Sequence, residues 1–501
     1  MISTNNQQRS SPLRGYVLIL VHLIAGVAIG CLVIFDPYGT TCIGHLIGIK
    51  LFPFTFVLLV SIVIVSLFFL LTYLGKYLSK VAENKELLFV IFYIVGYQTN
   101  SLQLGIIDMS DLALGVFLVV VLIDAFVKEK KSFINTPINL FNLLLLVFIL
   151  LPLVHLRVPS RTQFIYVKIV LMFFLMVNAL YSKELVIKCV KWLIIITSFS
   201  AVFAIFQEFM WVTTGTLVTG MIPKAELKRM FEGGLFRVPA LMLSYRIFAI
   251  ILAATLIITI SLLIFPNSLV TGMKKKIYLY SVSFLMFGAL LLTLAKDVLL
   301  GFFVALIFLL ILRRPRYIFH FAVVILLLAA VLFTLFAYLP GKGDTISYVV
   351  RDIPKAERER IQLDRDGIQG FVRGNYKLSG CGKGGKYTDN ALGWPAHNAF
   401  ILILDEAGIF GFIIYLGMYI WVLFRLVCLN LVVKDTAYVP IVRGLLCGII
   451  IYIIGAQFTA GYIEQFLWIL FALTESTALI LAKNQVPLIK REVFLSQKKK
   501  I

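Results

Sequence analysis

The stretch WPAHNAFILILDEAGIFGF, residues 394–412, decides the fold class. From Ala399 an apolar run continues to residue 430, and about 20 such residues suffice to cross a bilayer as a helix. Yet the stretch opens on Trp394, Pro395, His397 and Asn398, carries Asp405 and Glu406, and sets Gly408 and Gly411 before its second apolar half. Acids at membrane depth are costly unless paired or wetted. The meaning of the stretch therefore depends on where it lies relative to the membrane.

Composition settles the class. Of 501 residues, 61% are hydrophobic and 14% charged, against about a quarter charged in soluble domains. Runs of similar length recur near 16–36, 51–74, 87–107, 112–127, 137–156, 163–181, 186–212, 239–265, 277–295, 298–312, 317–339, 440–461 and 463–482. They lack the strict alternation of strands, so they read as helices. The expected fold is an all-α polytopic membrane protein with about 14 transmembrane helices. The run at 16–36 follows Arg9 and Arg14 and has no small-residue cleavage pattern after it, so it reads as an uncleaved first span.

The net charge of +21 does not call for nucleic acid, because Lys and Arg cluster in short loops between spans and there set orientation. With the N-terminus inside, alternation sends KEKK (128–131), Lys183 to Lys191, KKK (274–276), RRPR (313–316) and the QKKKI tail to the cytoplasmic side. The expected organisation is a cytoplasmic tail at 1–15, helices at 16–339 interrupted by an outer loop at 213–238, a large outer loop at 340–396, C-terminal helices at 397–482 and a basic cytoplasmic tail at 483–501. The weakest span is 87–107, which contains GYQTN. Within the large loop, RDIPKAERERIQLDRD (351–366) alternates in charge and reads as a solvated amphipathic helix.

Metal and redox chemistry find little support. Cys31, Cys42, Cys189, Cys381, Cys428 and Cys447 follow no metal spacing. A Cys42–Cys381 disulfide is open by topology and not favoured. His45, His155 and His397 fall at outer loops or span ends without a zinc-like spacing. No P-loop, no GxGxxG after a strand and no HExxH motif is present. Neither a metal nor a cofactor is expected.

On this topology His397 sits where the large outer loop enters the membrane. If the helix is continuous, Gly408 returns to within about 20° of His397 and Gly411 lies about 40° to the other side, some 16 Å deeper along the axis. Small residues on such a stripe allow a neighbouring helix to approach closely. On the same assumption Asp405 and Glu406 lie off the stripe, and DEAG is the place where a helix break or re-entrant turn would arise.

The pattern His397, Asn398, nine residues, Gly408, two residues, Gly411 resembles that of bacterial O-antigen ligases and O-antigen polymerases of the type C glycosyltransferase superfamily. The preceding SGCGKGGKY (379–387) resembles their glycine-rich GxGxG segment. RVPALMLSYRIFA (237–249) resembles the family segment in which an arginine precedes a Gly-x-Phe and Asn-Pro-Asn run; Arg237 matches, Ala240 replaces the glycine, and Asn-Pro-Asn is absent. LLTLAKD (291–297) resembles a Thr-Leu-Ser-Arg segment, with Lys296 in the arginine's place. Lysine is a point charge where arginine is a planar fork, so Arg229, Arg246 or Arg373 would have to supply a second fork.

The resemblance implies a glycan donor on undecaprenyl diphosphate and transfer of the glycan to an acceptor sugar hydroxyl at the periplasmic face of the bacterial inner membrane. His397 is then the candidate general base and Asn398 its orienting or substrate-bonding neighbour. Arg237 and Lys296, with Arg229, Arg246 and Arg373, are candidates for stabilising the departing diphosphate, which gathers charge as the C–O bond breaks. The acceptor is another lipid-linked glycan in a polymerase and lipid A core in a ligase. Span count leans toward the polymerase. Membrane lipids, a flippase and a chain-length regulator are the expected partners. A lipid-linked oligosaccharide flippase is the third reading, disfavoured because the cations gather at the outer face and few charges lie mid-span.

Overall fold

A chain in hydrocarbon must satisfy its own backbone, and every regular element among the described residues is a helix. A computed structural model of the chain describes residues 85–99, 109–128, 136–150, 161–214, 231, 236–313, 361–369, 371–372, 377–378, 380, 398–457 and 464–498. The helices are α1 (Lys85–Gln98), α2 (Met109–Lys128), α3 (Pro137–Leu150), α4 (Arg161–Ala179), α5 (Lys183–Thr214) and α6 (Tyr245–Ile264). They continue with α7 (Met273–Leu292), α8 (Lys296–Arg313), a short α9 (361–369), α10 (Ala399–Val432), α11 (Tyr438–Ala456) and α12 (Gln465–Lys498).

Six of these are long and apolar enough to cross a membrane: α5, α6, α7, α10, α11 and residues Gln465–Ala482 of α12. Shorter apolar helices lie in α2, α3 and α4. The spans expected at 16–36, 51–74 and 317–339 lie outside the described residues. Of the doubtful span at 87–107, residues 87–98 belong to α1, which is 14 residues long, and 100–107 lie outside the described residues. Its polar end is accommodated by pairing: Gln98 is buried, donates to Thr197 Oγ1 at 2.9 Å and accepts from Ser200 Oγ at 2.8 Å.

The core lies around α6, where the side chains of Ile251, Leu252, Ala253, Ala254, Ile257 and Ile258 are fully buried. Helix α11 packs on it closely because Gly444 faces Ile258; a Cβ at Gly444 would stand 2.9 Å from the Ile258 Cα. Packing without a hydrophobic driving force relies on such small residues. Ser261 Oγ adds a hydrogen bond of 2.7 Å to the Pro440 carbonyl across the same interface.

Cross-helix contacts fix which helix ends lie together. Lys183 at the start of α5 pairs with Asp435 between α10 and α11. Arg443 donates to Asn430 at 2.8 Å and its guanidinium stands 4.3 Å from the Phe265 ring centroid. These contacts gather the α5 start, the α6–α7 turn and the α10–α11 turn at one end, with Lys183, Lys188, Lys191 and Lys274 to Lys276 in the same region. At the opposite end Tyr97 meets Glu464 and Asn398 meets Gln457. There Gly301, near the start of α8, lies against Ile451 and Ile454 near the end of α11. Along the chain α5, α6, α7 and α8 thus alternate in direction, as do α10, α11 and α12.

Charges inside the bundle are paired across helices. Lys168 of α4 stands 2.5 Å from Asp111 and 2.9 Å from Ser110 of α2. In the other half, Glu475 of α12 accepts from Trp421 Nε1 at 3.0 Å and pairs with Arg425 at 3.4 Å. No motif in the sequence marks Asp111, Lys168, Arg425 or Glu475. Their pairing makes them ties between helices.

Candidate functional site

Two of the segments singled out in the sequence meet at the end opposite the lysine-rich turns. The Val238 N–H donates to the Leu292 carbonyl at 3.4 Å, which joins the strand of chain carrying Arg237 to the turn carrying Lys296. Both turns hold a non-glycine residue in the left-handed region, Ala240 at φ 53° and Leu294 at φ 52°. The first is fixed by Gln207, which donates to the Ala240 carbonyl at 2.9 Å. In the second, the Thr293 hydroxyl donates to Leu290 O at 2.6 Å and accepts from Ala295 N at 3.4 Å. Left-handed backbone costs an L-residue about 1–2 kcal/mol, so both turns are imposed by their surroundings.

The residues from 239 to 244 are therefore a turn, and α6 starts at Tyr245 rather than at 239 as the apolar run suggests. Arg237 is half-buried; its Nη1 donates to the Tyr245 hydroxyl at 2.7 Å and its guanidinium carbon stands 5.1 Å from that ring's centroid. Arg246 approaches the same ring at 5.8 Å. Tyr245 thus pre-sets the plane of Arg237 and draws a second guanidinium beside it. The rings of Trp211, Phe231 and Phe236, with centroids 5.0–5.8 Å apart, cluster at the segment leading into Arg237, the two phenylalanines stacked and Trp211 tilted against both.

Lys296 is exposed at the first position of α8, with Asp297 beside it. A helix N-terminus is already positive, so a lysine there reinforces the field that an anion would meet.

Asn398 caps α10. Its side-chain oxygen accepts from Phe400 N at 2.9 Å and Ile401 N at 3.4 Å, while its amide donates to Gln457 Oε1 at 3.0 Å. Both halves of the carboxamide are thus engaged in fixing the α10 start against the α11 end. The structure gives Asn398 a positioning place next to His397. His397 itself, Arg229 and Arg373 lie outside the described residues, as do His45, His155, Cys42 and Cys381.

Helix α10 is not continuous. Gly408 has φ 71° and ψ −173°, which divides the helix into 399–407 and 409–432. The angular stripe drawn from His397 through Gly408 to Gly411 assumed an unbroken helix and does not hold. Gly408 instead meets backbone from the large loop: a Cβ there would stand 2.5 Å from Gly380 N, and Ile409 N donates to Lys377 O at 2.9 Å. Gly380 is also left-handed, at φ 75°. Gly411 faces α3, with Leu145 and Phe148 each 3.7 Å from where its Cβ would be.

The break also answers the placement of the acids. Residues 409–432 span about 36 Å at 1.5 Å per residue, already more than the ~30 Å of hydrocarbon. Asp405 and Glu406 belong to the short segment before the break and are buried at 5% and 8% exposure. They occupy the end of the bundle, not its middle.

Glu464 was missed by the sequence reading. It stands just before α12 at the same end and accepts from the Tyr97 hydroxyl at 3.2 Å. Next to it Tyr93 donates to Gln465 at 2.7 Å. Burial pushes the Glu464 carboxyl up to about 7, outweighing the Tyr97 hydrogen bond that pulls it down. The available signal was a single acid between two apolar runs in GYIEQF.

Among the described residues no group of three His, Cys, Asp or Glu side chains could hold a metal ion. No family model matches the chain. No curated protein matches it in sequence.

Proposed function

We propose that the chain is a membrane glycosyltransferase that moves a glycan from undecaprenyl diphosphate to an acceptor sugar hydroxyl at the outer face of a bacterial inner membrane, as an O-antigen or related surface-polysaccharide polymerase. The reading rests on the motif resemblance, and the observation that carries it furthest is the Val238–Leu292 junction, which brings the Arg237 and Lys296 segments together. Arg237 and Lys296 are 59 positions apart (296 − 237 = 59), and the antiparallel pairing of α6 and α7 through the turn at 265–272 brings their segments to the same end.

In this reading the diphosphate lies at the α8 N-terminus against Lys296, with Arg237 held by Tyr245 as the planar fork. Charge grows on the diphosphate as the anomeric C–O bond breaks, so fixed cations there act most strongly in the transition state. His397 takes the proton of the acceptor hydroxyl as it attacks the anomeric carbon. Asn398, anchored on Gln457, fixes the backbone from which His397 projects.

The test is the glycan phenotype of a deletion, followed on gels, with complementation by the wild type and by His397→Ala. Single repeats on the lipid core, restored to long chains by the wild type alone, support the polymerase. Bare core with accumulated lipid-linked polymer points to a ligase. Lipid-linked units that fail to reach the outer leaflet would make it a flippase and overturn the reading.

A further inference from the structure

The arm of α10 before the break does not continue the line of the arm after it. The Phe400 ring stands 5.7 Å, centroid to centroid, from the rings of both Tyr415 and Tyr419. In an unbroken helix Phe400 and Tyr419 would be separated by about 28 Å along the axis, a gap no two side chains close. Residues 399–407 therefore double back at Gly408 and run alongside the start of the second arm. Gly411 permits the sharp turn, since a Cβ there would overlap that of Ala407. Buried Ala399, Leu402, Ile403 and Ala407 seat the returning arm in the bundle.

This re-entry sets the depth of Asn398. Tyr415 and Tyr419 lie seven and eleven positions past Gly408 (415 − 408 = 7, 419 − 408 = 11), about 10 and 16 Å along the helix. Asn398 stands two residues before Phe400, at the inner end of the returning arm. The second arm exceeds the hydrocarbon thickness by only about 6 Å. Even with that excess entirely on the outer side, the level of Tyr415 is within the membrane. Yet Asn398 is partly exposed there, and its partner Gln457 is exposed. Glu464 and Gln465 are partly exposed as well. Tyr419 meets Phe471 at 5.5 Å, and Glu464 precedes Phe471 by seven positions (471 − 464 = 7), which puts it about 10 Å nearer the outer face. Tyr415, packed on Phe400, is also within electrostatic reach of Glu464, so the two polar pairs border one space. Polar groups at such depth face other polar groups or water, and re-entrant backbone occurs where it is buried in protein or lines a water-filled cavity.

We propose that residues 399–407 are a re-entrant arm and that Asn398, Gln457, Glu464 and Gln465 line a water-filled recess entering the bundle from its outer end. The occupant is water continuous with the outer solution, not lipid, because acyl chains offer an exposed carboxamide pair no hydrogen-bond partner. The recess is backed by aromatic side chains: Tyr415 and Tyr419 pack edge to face at 5.2 Å beside Phe400, and Tyr97 donates to Glu464. The inference needs only a membrane-spanning bundle and stands apart from the glycosyltransferase reading. Under that reading, an acceptor would have to enter the recess to reach Asn398.

The test uses the full chain in vesicles of phosphatidylethanolamine and phosphatidylglycerol, with a cationic, membrane-impermeant methanethiosulfonate as the probe. Single cysteines are placed by Gln457→Cys and Gln465→Cys, and labelling of the unsubstituted chain is subtracted for the native cysteines. Thr214→Cys, exposed at the outer end of α5, is the water control, and Phe424→Cys, exposed on the inner half of α10, is the lipid control. Rates are compared rather than extents, so mixed orientation in the vesicles does not matter. The expected result is modification at 457 and 465 within about tenfold of the rate at 214, and at least 100-fold faster than at 424. Gln465→Cys leaves the Asn398–Gln457 pair intact, so the two variants do not share one folding defect. If either position in a chain of wild-type melting temperature reacts as slowly as 424, lipid or protein closes the space and the proposal is overturned.

Discussion

Val238 and Leu292 share a backbone hydrogen bond of 3.4 Å, and through it the turn before α6 and the turn between α7 and α8 form one surface. Arg237 and Lys296 flank that bond. They differ in how they are held: Arg237 donates to Tyr245 and stacks on its ring, while Lys296 is an exposed residue at a helix start.

Arg237→Lys keeps the charge and loses both the planar fork and the stacking on Tyr245. If the diphosphate is oriented by that fork, glycan transfer falls by about 100-fold, the scale on which a single pre-organised donor acts. Lys296→Arg should retain activity or raise it. The measurement is product chain length on gels at matched protein level. Wild-type length in Arg237→Lys would remove Arg237 from the site.

The two left-handed turns give a stability test independent of function. Ala240→Gly and Leu294→Gly relieve strain of about 1–2 kcal/mol each, less a smaller cost from the freer unfolded chain. Each should raise the melting temperature in detergent, with Leu294→Gly partly offset by loss of the leucine side chain. A melting temperature lowered by Ala240→Gly would mean that the backbone is not held at positive φ there.

Much of the bundle was legible because hydrocarbon admits few solutions. The presence of α5, α7 and α11, to within five residues at each end, follows from apolar run lengths, and the sorting of Lys183 and Lys274 to Lys276 away from Arg237 follows from charge placement. The turn at 239–244 was not legible, since its residues are as apolar as a helix and only the Gln207 and Leu292 contacts reveal it. The break at Gly408 was suspected at DEAG, but its cause is a chain segment some 30 positions earlier, at Lys377–Gly380. Glu464 carries no local motif at all. Its meaning arises from Tyr97, 367 positions away.

The break in α10 depends on glycine at its closest backbone contact. Gly408→Ala puts a Cβ on a left-handed backbone, 2.5 Å from Gly380 N, and neither backbone can yield easily. A loss of about 1–3 kcal/mol is expected from the strain alone, read as a lowered melting temperature in detergent. Gly115→Ala is the control, because nothing lies within 4 Å of its Cβ position. In a helix interior that change should be neutral or stabilising by up to about 1 kcal/mol.

Glu464 sets a pH dependence whose sign is fixed. Its carboxyl rises from an ordinary value of 4.5 to about 7 because burial disfavours the charged form. The native state therefore binds more protons than the unfolded state between those values, and stability falls as pH rises through about 7. Glu464→Gln keeps an acceptor for Tyr97 and removes the titration. Thermal melts across pH 5 to 8 should show the wild type losing stability from pH 5 to about 7 and levelling off above it, while Glu464→Gln stays level throughout. Parallel curves would assign the dependence elsewhere.

The Arg425–Glu475 pair tests whether intramembrane charges serve as ties or as a transport path. Glu475 has no exposed side-chain surface, accepts from Trp421 and pairs with Arg425, whose guanidinium also stands 5.3 Å from the Trp421 ring centroid. Removing one member of a buried pair leaves the other uncompensated, at a cost of about 3–5 kcal/mol. Arg425→Ala should therefore lower the melting temperature sharply. The double variant Arg425→Met with Glu475→Met removes both charges with similar bulk and should recover most of that loss. A tie predicts that the recovered double variant also makes long glycan chains. If it folds to the wild-type melting temperature yet leaves lipid-linked units on the inner leaflet, the pair lies on a transport path, and the flippase class replaces the enzyme.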